Sequence, residues 1–203
     1  MRRICDEGKC TACGACVQAC PQKCIEKIVT KDASFYYSID EKKCISCKKC
    51  ERVCPSLKSP IFNKAKKSYA AWRTDSTLHF ESASGGIATA FYEYAVTQKM
   101  FFSGVSLNDK FEAHFKLTDR VENIKDFKNS KYTFSFASDI FDEILNKLKC
   151  GYDVLFIGLP CQVAAIKNLV RITTVKGKLI TVDLVCHGTP PPIYLQQHIK
   201  AIE

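Results

Sequence analysis

The clearest hydrophobic patterning lies in the second half of the chain. "YDVLFIG" (residues 152–158) and "KLITVDLVC" (residues 178–186) are nearly continuous apolar runs of strand length, as expected for parallel strands covered on both faces. Between them "GLPCQVAAIKNL" (residues 158–169) reads as a helix with Cys161 in its first turn, so the three segments predict a strand–helix–strand unit. Just upstream, "ASDIFDEILNKLKCG" places Ile140, Phe141, Ile144, Leu145 and Leu148 on one helical face. A cap at Ser138 or Asp139 and a stop near Gly151 bound that helix, with Cys150 expected to pack at its end.

Nearer the start of this region, "FFSGVSLN" and "FEAHFKLT" predict two strands joined by a turn at Asn108 and Asp109. "ESASGGIATAFYEYAVTQK" predicts a helix running to about Lys99, capped by Ser82 or Ser84, with Gly85 and Gly86 in its first turn. "FYYSID" (residues 35–40) has strand character. The polar "SLKSPIFNKAKKS" (residues 56–68) reads as a linker, and a last helix is expected to begin after Pro192.

Cysteine changes this picture most. Ten of the thirteen cysteines precede residue 55, and Cys10, Cys13, Cys16, Cys20 and Pro21 recur 34 residues later as Cys44, Cys47, Cys50, Cys54 and Pro55. Each half reads C-x2-C-x2-C-x3-C-P, the run in which three thiolates wrap one 4Fe–4S cubane and the fourth ligates the other. Cys10, Cys13, Cys16 and Cys54 are therefore expected to hold one cluster, and Cys44, Cys47, Cys50 and Cys20 the second. Each proline is expected to set the backbone at the start of a short helix. Zinc modules use paired C-x2-C units instead, and an extracellular disulfide framework would need a signal segment, which the opening "MRRICDEGKC" lacks.

Cys5 and Cys24 fall outside the repeat and read as small packing residues. Gly14 follows Cys13, whereas Lys48 follows Cys47; if that position needs an unusual backbone angle, the second loop should differ.

Composition adds limits. At 203 residues and 46% hydrophobic content the chain can build one ordinary domain and a small one. No apolar run reaches the roughly 18 residues of a membrane helix, so a cytoplasmic protein with no membrane span is expected. The formal charge of +9 drops to about +5 once two clusters, each about −2, are counted. With basic residues scattered and no nucleic-acid module recognisable, a solvated surface or a docking face for an acidic partner fits better than nucleic acid.

Ligands in parallel sheets bind beyond the carboxyl ends of the strands. Those ends carry "GLPCQ" and "CHGTPPP", so Cys161, Gln162, Cys186 and His187 are expected to converge there. Cys161 and His187 are the candidate catalytic pair, electron-handling or nucleophilic. The bland alternatives are a cap filler, a strand-end core residue and a turn histidine. The Ser-Gly-Gly segment could likewise be only a helix cap or a phosphate site.

The cysteine-rich head, "ESASGGIATA", "NSKY", "GLPCQVAAIK" and "DLVCHGTPPP", in this order, resemble the coenzyme F-420 hydrogenase/dehydrogenase beta-subunit family. The resemblance implies an α+β ferredoxin-like domain for two 4Fe–4S clusters (residues 1–58), a linker (59–68) and an α/β flavin-binding domain with a partly parallel sheet (69–203, with its C-terminal part beginning at 151). It implies an oxidoreductase pairing the clusters with FAD, and passing electrons to a redox partner subunit or a small-molecule redox substrate. Carried over residue by residue, Ser84, Gly85 and Gly86 would face the flavin or its phosphates, and Lys131 and Tyr132 would belong to the "SKY" motif. Gly158, Pro160, Cys161 and Gln162 match Gly-x-Pro-Cys-Gln, and Cys186, His187 and Gly188 match Cys-His-Gly. Leu159 departs from the threonine common in that motif, and the end at "QQHIKAIE" implies a fragment. An electron-relay subunit holding clusters alone is the other reading.

Overall fold

A computed structural model describes residues 2–60 and 63–202. The linker reading at Ile61 and Phe62 and the last position of the C-terminal part, Glu203, lie outside the described residues. The head contains β1 (Arg2–Arg3), α1 (Ala15–Ala19), β2 (Ile25–Val29), β3 (Phe35–Ile39) and α2 (Lys49–Val53). Its antiparallel sheet has the order β1-β3-β2. The sequence repeat is also a structural one, since α1 and α2 each begin two residues after the second cysteine of their run.

Two expectations for the head are corrected. Cys20 and Cys54 end α1 and α2, with extended ψ values of 110° and 118°, and Pro21 and Pro55 lie in turns. The proline ring disfavours helical geometry at the residue before it, so the Cys-Pro pair is a helix stop, not a start. The cluster loops also do not differ. Ala12 and Ser46 have φ of 52° and 54°, and Gly14 and Lys48 have 77° and 56°. Lysine accepts the left-handed geometry that glycine adopts freely.

The body comprises α3 (Ser76–Phe80), α4 (Ile87–Thr97), β4 (Phe101–Leu107), β5 (Ala113–Thr118), a 3-10 helix (Val121–Phe127), α5 (Ser138–Lys149), β6 (Val154–Gly158), α6 (Pro160–Arg171), β7 (Leu179–Asp183) and α7 (Pro192–Ile202). Its sheet has the order β5-β4-β6-β7. The β4–β6 and β6–β7 pairs are parallel and β4–β5 is antiparallel, the mixed sheet expected. β6 is buried throughout, and all five predicted apolar residues of α5 are buried against it and its neighbours.

Other details depart from the sequence pattern. β7 is an edge strand, and Ile180 is 42% exposed: a continuous apolar run specifies a strand without specifying what covers it. Gly86, at φ 73°, is the N-cap of α4, with Ser82 donating to the Leu78 carbonyl instead. Ala137 is the N-cap of α5, without a side-chain bond from Ser138 or Asp139. The hairpin loop extends past Asn108 and Asp109 to Glu112, because the Asn108 side-chain oxygen accepts from the Lys110 and Glu112 amides. Cys150 is exposed, not packed.

Head and body share a core. Cys13, Ala15 and Val53 belong to the same buried cluster as Ile140, Phe156 and Ile166. The buried Asn168 on α6 donates to the carbonyls of Val53 and Lys58 at 3.2 and 2.9 Å. Gln18 on α1 donates to Asp142 on α5 at 2.8 Å. Phe35 packs on Phe134 and Phe136 with ring centroids 4.9 and 4.8 Å apart. Among the described residues no helix is long and apolar enough to cross a membrane.

Candidate functional site

The eight repeat cysteines separate into two groups. Cys16 interacts electrostatically with Cys13, Cys10 and Cys54, which places these four around one inner site beside the body. Cys20, Cys44, Cys47 and Cys50 line one small cavity on the other side of the head. The spacing assigns these same two groups of four to two clusters. Among the described residues no three Cys, His, Asp or Glu side chains are arranged to hold a single metal ion. Cubane ligands sit apart, one per iron corner, whereas tetrahedral zinc with Zn–S near 2.3 Å draws its thiolates within about 4 Å.

The two sites differ in exposure. Cys13, Cys16 and Cys54 are buried, while Cys47 is exposed beside Ile45, which is 60% accessible. Burial pushes the Cys13 thiol up to about 12, against hydrogen bonds from the Ala15 amide and the Thr11 hydroxyl. Burial and the neighbouring Cys13, Cys10 and Cys54 also raise Cys16. Thiolates in this site thus need a metal's positive charge, coupling metal loading to proton release.

Cys5 and Cys24 do more than fill space. Cys24 is buried with its Sγ 3.5 Å from that of Cys20, and it lines the same small cavity as Cys44. Cys5 packs in one cluster with Cys54 and Cys10. Spacing gave no hint of this, because Cys5 and Cys24 are not related by the repeat.

At the carboxyl ends of the parallel strands β6 and β7 lies a cavity of about 820 Å³. Ser84, Gly85, Gly86, Lys131, Tyr132, Gly158, Gln162, Cys186, His187 and Gly188 all line it. Pro160 and Cys161 are not among its lining residues. Gln162 is fixed from both ends: its side-chain oxygen accepts from the Leu159 amide and its Nε2 donates to the Ser135 carbonyl, both at 2.9 Å. The Lys131 ammonium donates to the carbonyls of Asp126 and Lys128 at 3.2 and 2.6 Å. Burial lowers its pKa, with Asp126 opposing. Two of its three donors are thus committed to the main chain, which leaves one to meet negative charge in the cavity.

Residues that the sequence did not single out complete the wall. Thr133 lines the cavity, and its buried hydroxyl has no hydrogen-bond partner in the protein. A side chain at Gly85 would meet the Ala71 carbonyl at 2.6 Å, and one at Gly86 the Arg73 side chain at 2.6 Å. The Ser-Gly-Gly loop is therefore pinned against residues 71–73 by close approach, and the Arg73 amide donates to the Gly85 carbonyl at 2.9 Å. The volume lies within the roughly 300–1,000 Å³ of cofactor pockets. With the glycine loop and the orphan hydroxyl, these residues fit a phosphate-bearing organic cofactor.

Cys161 sits between the inner cysteine site and this cavity. The Thr11 side chain interacts with both Cys13 and Cys161, and Cys161 interacts electrostatically with Cys186 on the cavity wall. Burial and Cys186 raise the Cys161 pKa despite the amides at the start of α6. A buried thiol held protonated is a poor nucleophile, which weighs against Cys–His hydrolysis.

Comparison with known proteins agrees with this architecture. Residues 9–57 and residues 36–93 match models described as 4Fe-4S dicluster domain. Residues 151–203 match the model for the C terminus of the coenzyme F420 hydrogenase/dehydrogenase beta subunit. No curated protein matches the chain. A chain of the F420-reducing NiFe hydrogenase complex from Methanosarcina barkeri, in a xenon-derivatized structure, shares the fold with a TM-score of 0.54 and 22% identity. The match covers 64% of this chain and 47% of that one, so this chain spans about half the length of its structural neighbour. The fold and the cysteine sites define an iron–sulfur protein of the electron-transfer class. Over residues 151–203 the chain is similar to the C terminus of the coenzyme F420 hydrogenase/dehydrogenase beta subunit.

Proposed function

We propose that this chain is an iron–sulfur flavoprotein subunit that moves electrons between an outer cluster, an inner cluster and FAD, serving a redox partner subunit and a small two-electron substrate. Cys44, Cys47, Cys50 and Cys20 hold the outer cluster, and Cys10, Cys13, Cys16 and Cys54 the inner one. One observation carries the reading: the row Cys13, Thr11, Cys161 and Cys186 leads from the inner site to the cavity at the strand ends. When bound, a flavin exchanges single electrons on one side and electron pairs on the other, the conversion that clusters alone lack.

The chain's own residues prepare that exchange. The loop of Ser84, Gly85 and Gly86 and the Thr133 hydroxyl bind the cofactor, while Gln162 holds the loop after β6 in place. Tyr132 and His187 line the mouth where a substrate would enter. Cys161 bridges the two halves as an electron-path residue. Anaerobically purified protein is expected to contain about eight irons and one FAD per chain; stoichiometric iron with no flavin retained or rebound leaves only the relay reading. That second reading has one specific support, the exposed apolar edge at Ile180, Leu184 and Val185, which suits a chain working inside a larger assembly.

A further inference from the structure

Each proposed cluster site has a fifth cysteine, and the two extra thiols occupy matching places. Under the 34-residue repeat Cys10 corresponds to Cys44, and Cys54 to Cys20 across the crossed ligand pattern. Cys5 packs in one cluster with Cys10 and Cys54. Cys24 shares a cavity wall with Cys44 and Cys20, with an Sγ–Sγ distance of 3.5 Å to Cys20. The extra cysteine thus meets the equivalent pair of ligands at each site, although it arrives from a different direction. Cys5 follows β1, whereas Cys24 precedes β2.

Bond accounting gives each contact a direction. A cysteine bound to iron has given up its proton, so its sulfur can only accept. The S–H in each contact must therefore belong to Cys5 or Cys24. Hydrogen bonds to ligand sulfur favour the reduced cluster, which carries one more negative charge, and so raise its reduction potential. A fifth ligand is excluded by count, since four thiolates already complete a cubane.

On the basis of the cluster assignment above, we infer that Cys5 and Cys24 are positioning thiols that donate S–H hydrogen bonds to the inner and outer clusters respectively and set their potentials. Packing alone would not bring both to the same pair of ligands.

The test is an EPR-monitored redox titration of the full-length protein with Cys5→Ala, Cys5→Ser, Cys24→Ala and Cys24→Ser, with iron counted in each variant. Cys24→Ala is expected to keep all its iron and to lower the reduced fraction of the outer cluster about threefold at a fixed applied potential, the size of one modest hydrogen bond. Cys5→Ala should do the same to the inner cluster only, and each serine variant, keeping an O–H donor, should restore the parent value. Unchanged potentials in both alanine variants would overturn the inference and leave packing as the role. Loss of four irons from an alanine variant would overturn it differently, by making the extra cysteine a ligand. Fewer than eight irons in the parent protein would instead sink the cluster assignment itself.

Discussion

Gly14 and Lys48 hold the same place in the two halves of the repeat and the same left-handed backbone, yet only one of them is required to be glycine. A side chain at Gly14 would meet the Cβ of Ser138 at 2.4 Å, because α5 of the body begins there, whereas Lys48 stands in solvent. Gly14→Ala is therefore expected to destabilise the protein by roughly 1–3 kcal/mol through overpacking, while Lys48→Gly changes stability by less than about 1 kcal/mol. Urea unfolding of both variants checks this; equal effects would show that backbone angle, not docking, decides. Thr133 makes a second residue-scale prediction. Thr133→Val should weaken FAD retention about tenfold, within the range for one lost hydrogen bond, without lowering apoprotein stability, as read by flavin fluorescence and thermal melting. Cys161→Ser should slow reduction of the flavin while leaving both clusters at full iron content, by stopped-flow absorbance. Head cysteines were legible as candidate ligands because their spacing repeats; Thr11 and Thr133 were not singled out, because a lone threonine carries no pattern and takes its place only from neighbours distant in sequence.

Among the elements, α5 and β6 were readable in detail. Five apolar residues at helical spacing leave one solution, and all five are buried in the structure. The same logic failed at β7, whose apolar run lies on an uncovered edge. It failed again at the Cys-Pro pairs, where the restriction on the residue before proline mattered more than proline's suitability for a first turn. The most informative element is α6. Its first turn carries Cys161 and Gln162 toward the two sites, and further along the same helix Asn168 binds the head through the carbonyls of Val53 and Lys58. Asn168→Leu would leave both carbonyls without that donor in a buried place, at a cost of roughly 1–3 kcal/mol. At about 2–4 °C per kcal/mol for a chain of this size, calorimetry should show a melting temperature lower by several degrees; no change would mean that the head docks without α6.

Across the whole molecule, asymmetry between two similar sites is the main result. The inner site is enclosed by the body and lies next to Thr11 and Cys161; the outer site presents Cys47, Ile45, Lys48 and Lys49 to solvent. Under the function proposed above, the outer site would exchange electrons with a partner and the inner one with the body's cavity. Iron should leave in two phases when anaerobic protein meets a strong chelator, the outer cluster first, because its thiolates are the accessible ones. Loss of both clusters at one rate, followed by absorbance and iron release, would contradict the burial difference.

From the sequence alone, the cysteine repeat, the mixed sheet of the body and the gathering of motif residues at the strand ends could be derived, with the crossed pairing as what the spacing predicts. These are properties of spacing and hydrophobic period, which act locally. Tertiary structure alone decided which cluster faces the body, which apolar run is an edge, and that Cys161 lies between the inner site and the cavity instead of on its wall. It also brought Cys5 and Cys24 to their ligand sulfurs. Each of these depends on contacts between segments far apart in the chain, and such contacts leave no periodic trace in the residues that make them.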